Sequence, residues 1–256
     1  MSTILFNKIV FGPIHSRRLG ISLGINLLPV DGKLCSFDCI YCECGYNADG
    51  KSTSKLPTRE EVRQALDNKL RTMQDKPDVI TFAGNGEPTI HPEFALIVDD
   101  VIELRNKYFP NAKISVLSNS SMIHKEDVFQ ALNRIENNIL KIDASFDDKL
   151  HLIDRPNSIT FNVKDLIKQM KRFNGNLIIQ TMFLRGMYND QSVDNTSEEE
   201  VSAWIDILKE INPRQVMIYT IDRETPAKGL EKVSVEELNC IAERVRKVGF
   251  DVSVSG

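Results

Sequence analysis

Residues 34–45 read LCSFDCIYCECG and place four of the five cysteines of this 256-residue chain within ten positions. Cys35, Cys39 and Cys42 follow a C-x3-C-x2-C spacing, and Cys44 comes two residues later. Cysteines this close together form a disulfide, hold a zinc ion or hold an iron–sulfur cluster. The rest of the sequence decides among these uses and predicts the fold that carries the loop.

The composition is that of an ordinary globular protein. Hydrophobic residues make up 41% and charged residues 27% of the chain, and the net charge is −4. No stretch approaches ~18 consecutive apolar residues, so we expect no membrane span, and the N-terminus lacks the pattern of a secretory leader. We therefore expect a cytoplasmic protein with reduced thiols, which makes a structural disulfide the least favoured use of the loop. The acidic balance does not favour nucleic-acid binding, although a local basic patch would permit it.

Short apolar runs alternate with amphipathic helices along the whole chain. The runs are rich in Ile and Val and bounded by Gly, Pro, Asn or Asp, which is typical of buried parallel strands. The six runs are residues 21–28, 79–83, 114–118, 139–145, 177–183 and 216–221. Six strand–helix units predict a parallel α/β sheet, either a partial (β/α)6 TIM-type barrel with outer helices or a flat doubly wound sheet. No linker marks a boundary, so we predict one domain over residues 1–256.

Capping signals predict where several helices begin. The pairs with capping-box spacing are Thr58 with Glu61, Ser197 with Glu200 and Ser234 with Glu237, and Pro92 is expected to open a further helix. Weaker helical patterns cover residues 124–135 and 162–173. The last helix contains Cys240, which we expect on or near its buried face as a small core residue.

Polar segments follow every predicted strand. In parallel α/β folds, the residues that carry chemistry collect at the carboxyl ends of the strands. Here those segments are the cysteine loop at 34–45, GNGEPT at 84–89, SNSS at 118–121, DASFDD at 143–148 with 151–157, FLRGMYND at 183–190 and IDRETP at 221–226. We expect these six segments to ring one mouth of the fold.

The cysteine loop favours an iron–sulfur cluster over zinc. A closed zinc site needs four well-spaced ligands, but only one residue separates Cys42 from Cys44, and the four histidines are scattered. Three thiolates at this spacing suit a cluster that leaves one iron open for a substrate or cofactor. Cys44 stays open as a fourth ligand, a reactive thiol or a mere neighbour.

Two motifs resemble the radical S-adenosylmethionine (SAM) superfamily. The spacing of Cys35, Cys39 and Cys42, with the aromatic Tyr41 before the third cysteine, is similar to the cluster motif of that family. The segment GNGEP at 84–88 resembles the family's Gly-Gly-Glu-Pro element, although Asn85 separates its two glycines. The resemblance spans the chain and implies the partial (β/α)6 barrel.

The resemblance also implies a set of cofactor contacts. Cys35, Cys39 and Cys42 would hold a 4Fe-4S cluster whose fourth iron binds the amino and carboxylate groups of SAM. The implied SAM-binding residues are Tyr41 near the adenine, Gly84, Gly86 and Glu87 near the amino group, Ser118 and Asn119 after the third strand, Asp143 and Ser145 near the ribose, and Gln180 and Thr181 on the fifth strand. For the residues of the fourth and fifth strands, structural hydrogen bonding is an equal alternative.

The activity implied by the resemblance is reductive cleavage of SAM to methionine and a 5′-deoxyadenosyl radical, which abstracts hydrogen from a substrate. An electron donor such as flavodoxin or ferredoxin would supply the electron. The main alternative is an iron–sulfur electron-transfer or iron-sensing protein without SAM cleavage, which explains the cysteines but not GNGEPT. A zinc-stabilised binding module is the third option.

A narrower resemblance concerns the substrate. The segments GPIHSRRLGISLGINLLP, CIYCECG and YTIDRETP are similar to a group of stand-alone proteins related to wybutosine synthase. Members of the wider grouping act on a modified guanosine in tRNA, and the known tRNA enzyme carries further N-terminal cysteines, whereas this chain has none before Cys35. An RNA base, a peptide or protein (including a glycyl-radical enzyme) and a small metabolite all stay open. The candidate substrate residues are Arg17, Arg18, Arg185, Asp222 and Arg223, followed by Glu224, His151, Asp154 and Arg155.

Overall fold

The computed structural model describes residues 4–16 and 19–256. Arg17 and Arg18, two of the candidate substrate residues, lie outside the described residues. The strands are β1 (Val10–Ser16), β2 (Gly20–Ile25), β3 (Val79–Phe82), β4 (Lys113–Ser118), β5 (Asn137–Lys141), β6 (Ile178–Tyr188), β7 (Gln191–Ser192), β8 (Gln215–Thr220), β9 (Leu230–Lys232) and β10 (Val252–Ser255). The helices are α1 (Arg59–Thr72), α2 (Phe94–Tyr108), α3 (Glu126–Asn133), α4 (Asp147–Ile153), α5 (Val163–Lys171), α6 (Glu198–Ile211) and α7 (Val235–Lys247), with one 3-10 turn at Pro88–Ile90.

The chain divides into two compact units. The N-terminal unit comprises Ile4–Cys35 and Asn47–Asn138, and the C-terminal unit comprises Ser36–Tyr46 and Ile139–Gly256. The single domain expected over residues 1–256 stays a prediction. Two boundaries fall at the cysteine loop, between Cys35 and Ser36 and between Tyr46 and Asn47, and another falls within β5, between Asn138 and Ile139.

Parallel pairing dominates in both units. In the N-terminal unit, β2, β3 and β4 are parallel neighbours, and β1 pairs antiparallel with β2. In the C-terminal unit, β6 lies between β5 and β8, β10 pairs with β8, and all these pairs are parallel. The predicted α/β class, a partial (β/α)6 TIM-type barrel with parallel strands and outer helices, is confirmed. The strands β2 to β6 bury apolar side chains such as Leu23, Ile80, Ile114, Leu140 and Ile179.

The sequence missed several short elements and misjudged one cysteine. The elements not predicted are β1, β7, β9, β10 and α4. Cys240 is exposed, which corrects the expectation of a buried residue. The helical period of α7 directs Leu238, Ile241, Ala242 and Val245 to the core, and Cys240 falls beside that stripe.

Two of the three predicted capping boxes are complete. Thr58 with Glu61 and Ser234 with Glu237 make both reciprocal hydrogen bonds. At α6, Ser197 accepts a hydrogen bond from Glu200 N, but the Glu200 carboxylate accepts from Ser145 N at 2.9 Å instead of returning to Ser197. A tertiary partner has therefore replaced half of the third capping box.

Asp100 on α2 joins α1 to α2 within the N-terminal unit. Its carboxylate accepts from Arg59 at 2.6 and 2.8 Å and from Arg63 at 2.9 Å, and its side chain is 6% exposed. The hydrogen bonds from Arg59 hold the pKa of Asp100 below its usual value. The ionised form is therefore the one that stabilises the folded chain.

We expect Asp100→Asn to lower the free energy of unfolding by about 2 kcal/mol near neutral pH, because the charge-assisted hydrogen bonds are lost. A carboxyl whose pKa is depressed in the folded state stabilises above its unfolded pKa of about 4 and loses that contribution as the pH falls through the folded-state pKa. Denaturant titrations should thus show a difference from wild type that shrinks in acid. Glu103→Gln, the control, removes a 62% exposed partner of Arg63 and should cost no more than about 1 kcal/mol. An unchanged difference at acid pH would contradict the assignment.

Candidate functional site

Leu34, the residue before the first cysteine, is fixed by the segment that follows β3. Its backbone N–H donates to Asn85 O at 2.9 Å, and its carbonyl accepts from Glu87 N at 3.2 Å. Gly86 lies opposite with φ +135°, and a Cβ there would stand 1.9 Å from Leu34 O. Only glycine permits this approach, so GNGEP sets the position from which Cys35 leaves.

Gly84 is required by a second contact within the chain. A Cβ on Gly84 would lie 2.2 Å from Asn26 Oδ1. That oxygen accepts from Asn85 N at 3.1 Å and from Leu28 N at 3.2 Å. Close contacts within the chain thus require glycine at both Gly84 and Gly86 of the predicted SAM-binding element. Their contact with SAM stays a prediction.

Asn85 departs from the Gly-Gly pattern because its side chain ties two segments together. It is fully buried, and its amide Nδ2 donates to Phe6 O at 2.9 Å and to Pro29 O at 2.7 Å. Its Oδ1 accepts from Phe6 N at 2.8 Å. The residue therefore joins the stretch before β1 to the loop after β2.

Glu87 connects the segment after β3 to the segment after β4. Its Oε1 accepts from Thr89 N at 3.0 Å and Thr89 Oγ1 at 2.5 Å, and its Oε2 accepts from Asn119 N at 2.6 Å. Burial raises the pKa of Glu87, and these hydrogen bonds oppose the rise. Asn119 in turn donates from Nδ2 to Cys35 Sγ at 3.5 Å. The N-terminal unit thus brings together four predicted site residues: Cys35, Glu87, Asn119 and its neighbour Ser118, whose Oγ accepts from Ser120 N at 3.0 Å.

In the C-terminal unit, residues 36–40 of the cysteine loop lie against residues 153–157, which comprise the last residue of α4 and the four residues after it. The contacts are Asp38 N to Arg155 O at 3.0 Å, Ile40 N to Ile153 O at 3.0 Å, Asn157 N to Ser36 O at 2.9 Å and an antiparallel bridge between Phe37 and Pro156. Arg155 adopts the left-handed conformation with φ 48°. Main-chain pairing therefore fixes residues 36–40, the stretch of the loop that contains Cys39 and precedes Cys42.

A buried ionic cluster adjoins Cys39. Lys141, the last residue of β5, donates from Nζ to Cys39 Sγ at 3.1 Å and lies 2.7 Å from Asp154 Oδ1 and 3.2 Å from Asp143 Oδ2. Tyr41 accepts from Lys141 and donates to Asp143. We refer to Lys141, Asp143, Asp154 and Tyr41 as the Lys141 cluster.

The pKa shifts in the Lys141 cluster follow from burial and charge. Burial raises the pKa of the Tyr41 phenol well above its ordinary value, and the carboxylate of Asp143 adds to the rise. Burial alone would lower the pKa of Lys141, but Asp143 and Asp154 more than reverse this and keep the ammonium charged. Burial raises the pKa of Asp143, and the Lys141 ammonium opposes that rise.

Sequence reasoning singled out Tyr41, Asp143 and Asp154 but missed Lys141. The lysine sits within the predicted buried run ILKIDAS at 139–145, where a charged side chain is a signal of a functional or paired site. Its importance depends on tertiary partners, which the run does not reveal.

The predicted contacts on the fourth and fifth strands divide into two kinds. Ser145 Oγ donates to Glu200 O at 2.9 Å, and Thr181 Oγ1 donates to Ile142 O at 2.6 Å while accepting from Trp204 Nε1 at 3.0 Å. These two hydroxyls have partners within the chain. Gln180 differs, because its amide Nε2 is buried and has no hydrogen-bond partner among the described residues.

The candidate substrate residues are mostly engaged in ion pairs or hydrogen bonds. Arg185 pairs with Glu237 at 2.8 Å, and Arg223 pairs with Glu43 of the cysteine loop at 2.6 Å. Asp222, Arg223 and Glu224 are exposed after β8, and His151 shares a hydrogen bond with Phe161 O at 2.9 Å. Arg155 Nη1 donates to Tyr188 OH at 3.0 Å, and its guanidinium stacks over Tyr46 at 5.2 Å. Their contact with a substrate stays a prediction.

The donor set fits an iron–sulfur cluster. Across residues 4–16 and 19–256, no group of three or more His, Cys, Asp or Glu side chains is already gathered as a metal site. The sulfurs of Cys35 and Cys39, however, each accept from a nitrogen donor, Asn119 Nδ2 and Lys141 Nζ. Hydrogen bonds to sulfur are a regular feature of cluster ligands, and thiolate is their usual chemistry.

The family model of the Radical SAM superfamily matches residues 30–199. The chain therefore belongs to the Radical SAM superfamily. A UPF0026 protein of Helicobacter pylori (strain J99) is 30% identical over 232 residues, which cover 90% of this chain and 71% of that protein. In the part of the chain that the structure describes, every helix is too short or too polar to span a bilayer.

Solved structures share the fold. A radical SAM methyltransferase from Sphaerobacter thermophilus superposes with a TM-score of 0.65 at 16% identity, covering 91% of this chain and 65% of that one. Streptococcus suis SuiB bound to S-adenosylmethionine superposes with a TM-score of 0.61 at 17% identity, covering 92% of this chain and 47% of SuiB. The chain spans less than two thirds of either structure. The narrower grouping with wybutosine synthase relatives stays a prediction.

We expect Asn85→Gly, which would complete the Gly-Gly pair, to lower the free energy of unfolding by about 2–3 kcal/mol, because buried carbonyl and amide groups lose their partners. The matched control is Asn174→Gly at an exposed position with φ 48°, where glycine is tolerated and the change should be within about 0.5 kcal/mol. Chemical denaturation measures both. Equal effects of the two substitutions would show that the Asn85 contacts contribute nothing.

Proposed function

We propose that the protein is a radical SAM enzyme in which Cys35, Cys39 and Cys42 hold a 4Fe-4S cluster and SAM binds at its open iron. When bound, the reduced cluster supplies the electron that cleaves SAM to methionine and a 5′-deoxyadenosyl radical, which abstracts hydrogen from the substrate. The observation that carries this proposal is the pairing of Leu34, next to Cys35, with Gly86 of GNGEP. The first cysteine of one family motif thus directly follows a residue that pairs with the other motif.

Residues of this chain position the cysteine ligands and donate hydrogen bonds to their sulfurs. Asn119 and Lys141 donate to the sulfurs of Cys35 and Cys39, and the backbone of residues 153–157 fixes the loop between them. We assign the SAM contacts to Tyr41, Gly84, Gly86, Glu87, Ser118, Asn119, Asp143 and Ser145. The Gln180 amide supports the proposal that a ligand binds here. Its Nε2 is buried without a partner among the described residues, which costs free energy unless a ligand accepts its hydrogen bond.

The substrate is a hydrogen-atom donor that we leave among an RNA base, a peptide and a small metabolite. Arg185, Asp222 and Arg223 are the described candidates for its contacts. We propose a flavodoxin or ferredoxin as electron donor, and a reducing compartment such as the cytoplasm, in which the thiols stay available to iron.

We expect anaerobically reconstituted wild-type protein to form 5′-deoxyadenosine from SAM with dithionite, and Cys39→Ala to form at least ~100-fold less, since a cluster ligand is lost. Cys240→Ala removes an exposed cysteine of α7 and should behave as wild type. Iron content and 5′-deoxyadenosine are the measurements. Cys44→Ala tests the open role of that cysteine, since a fourth ligand would change the iron content.

The outcomes separate the two leading functions. A loaded wild-type cluster that neither binds SAM in a titration nor cleaves it would contradict the proposal and favour the electron-transfer or iron-sensing alternative. A loaded cluster that binds SAM but cleaves it only when a substrate is added would keep the proposal.

We expect Gln180→Leu to leave the free energy of unfolding within about 1 kcal/mol of wild type, because Nε2 loses no partner. We expect it to weaken SAM binding about tenfold, the equivalent of about 1.4 kcal/mol. Calorimetric SAM titration of the loaded protein measures the affinity. Gln215→Leu is the matched control at the start of β8, where the amide bonds to Asp251 at 3.0 Å, and it should not change SAM affinity. Unchanged SAM affinity in Gln180→Leu would remove that residue from the site.

A further inference from the structure

We propose that Lys141 is a positioning residue for the iron–sulfur cluster, whose ammonium donates a hydrogen bond to the Cys39 thiolate and raises the reduction potential of the cluster. The inference rests on the proposed function, since it takes Cys39 as a cluster ligand. It adds a residue outside both family motifs, from a strand that sequence reasoning treated as core.

The ammonium is held in place from several sides. Asp154 Oδ1 lies 2.7 Å and Asp143 Oδ2 3.2 Å from Nζ, and these two carboxylates are 2% and 0% exposed. The rings of Tyr41 and Phe37 lie under the ammonium with centroids at 4.8 and 5.7 Å. With only 12% of its side chain exposed, Lys141 has little freedom to swing away from Cys39.

The acceptors around the Lys141 ammonium indicate that this lysine does more than neutralise one carboxylate. One carboxylate balances the charge of one lysine, but two carboxylates and a sulfur converge on Nζ here. Asp143 also accepts from Met182 N at 2.8 Å and from Tyr41, so part of its hydrogen bonding is satisfied without lysine. Asp143 and Asp154 thus hold the Lys141 ammonium in place, and in this position the ammonium donates to the sulfur of Cys39.

A charged donor at a ligand sulfur favours the reduced form of a cluster. Reduction places additional negative charge on the iron and its thiolates, and hydrogen bonds to sulfur together with local positive charge stabilise it. The interaction is strong where little water is present, because the effective dielectric constant is low. Loss of Lys141 should therefore make the cluster harder to reduce.

The first experiment compares midpoint reduction potentials of reconstituted proteins without SAM. Lys141→Met with Asp154→Asn removes one positive and one negative charge, so the net charge stays that of wild type while the donor to sulfur is lost. We expect its midpoint potential to lie below those of wild type and of Asp154→Asn alone. If Lys141 only balances the carboxylates, the double variant will match wild type, and the proposal is overturned.

The second experiment needs no destabilising substitution. Wild-type protein labelled with nitrogen-15 at the lysine Nζ is reduced and studied by pulsed EPR, which detects nitrogen nuclei close to the cluster. We expect a nitrogen-15 coupling that disappears in equally labelled Lys141→Arg, which keeps the charge but not the labelled atom. Absence of the coupling in wild type would overturn the proposal even where the double variant does not fold.

Failure of this inference is distinguishable from failure of the proposed function. If the proposed function is wrong, wild type will not load a cluster or will not bind SAM, and neither experiment on Lys141 is needed to see it. If only the role of Lys141 is wrong, wild type will load and cleave SAM, but the potential and the EPR spectrum will be insensitive to Lys141.

Discussion

The approach of two backbones at Gly86 is the constraint on which the cysteine loop depends. Leu34 O occupies the space that a side chain at Gly86 would need, and the two flanking hydrogen bonds require this closeness. A larger residue would push Leu34 away and displace Cys35, the next residue. A side chain at Gly84 would likewise collide with Asn26. The loop after β2 and the segment after β3 therefore hold each other in place through close contacts at both glycines. The glycines therefore determine the position of the cysteine loop through contacts within the chain.

The cysteine loop is fixed by different means in the two units. In the N-terminal unit, GNGEP and the Glu87–Asn119 contact fix the end that carries Cys35. In the C-terminal unit, main-chain pairing with residues 153–157 fixes the stretch that leads to Cys39. A loop that carries metal ligands binds the metal more tightly when it is already rigid, because less conformational entropy is lost when the metal binds.

The sequence predicted the fold well because the six main strands are apolar runs whose period and bounds are local properties. It missed β10, whose residues VSVS are mostly half-buried, and it extended β2 to residue 28, although the strand ends at Ile25, directly before Asn26 turns the chain. Within the site, the cysteines and glycines were visible as motifs. The roles of Asn85 and Lys141 were not, because both depend on partners more than 50 residues away, such as Pro29 and Cys39. Local pattern carries no information about such partners.

Strand alternation explains why neighbours on β6 have different roles. Successive side chains on a strand point to opposite faces, and residues in register on parallel strands share a face. Thr181 reaches Trp204 of α6 and so faces the helices. Gln180 must then face the other way, and its register partners are Lys141 on β5 and Met217 on β8. Lys141, which contacts Cys39, and the Gln180 amide, which has no partner among the described residues, thus lie side by side on the face that points away from α6. The strand register that builds the C-terminal sheet is therefore sufficient to place the charged donor Lys141 beside the amide donor of Gln180.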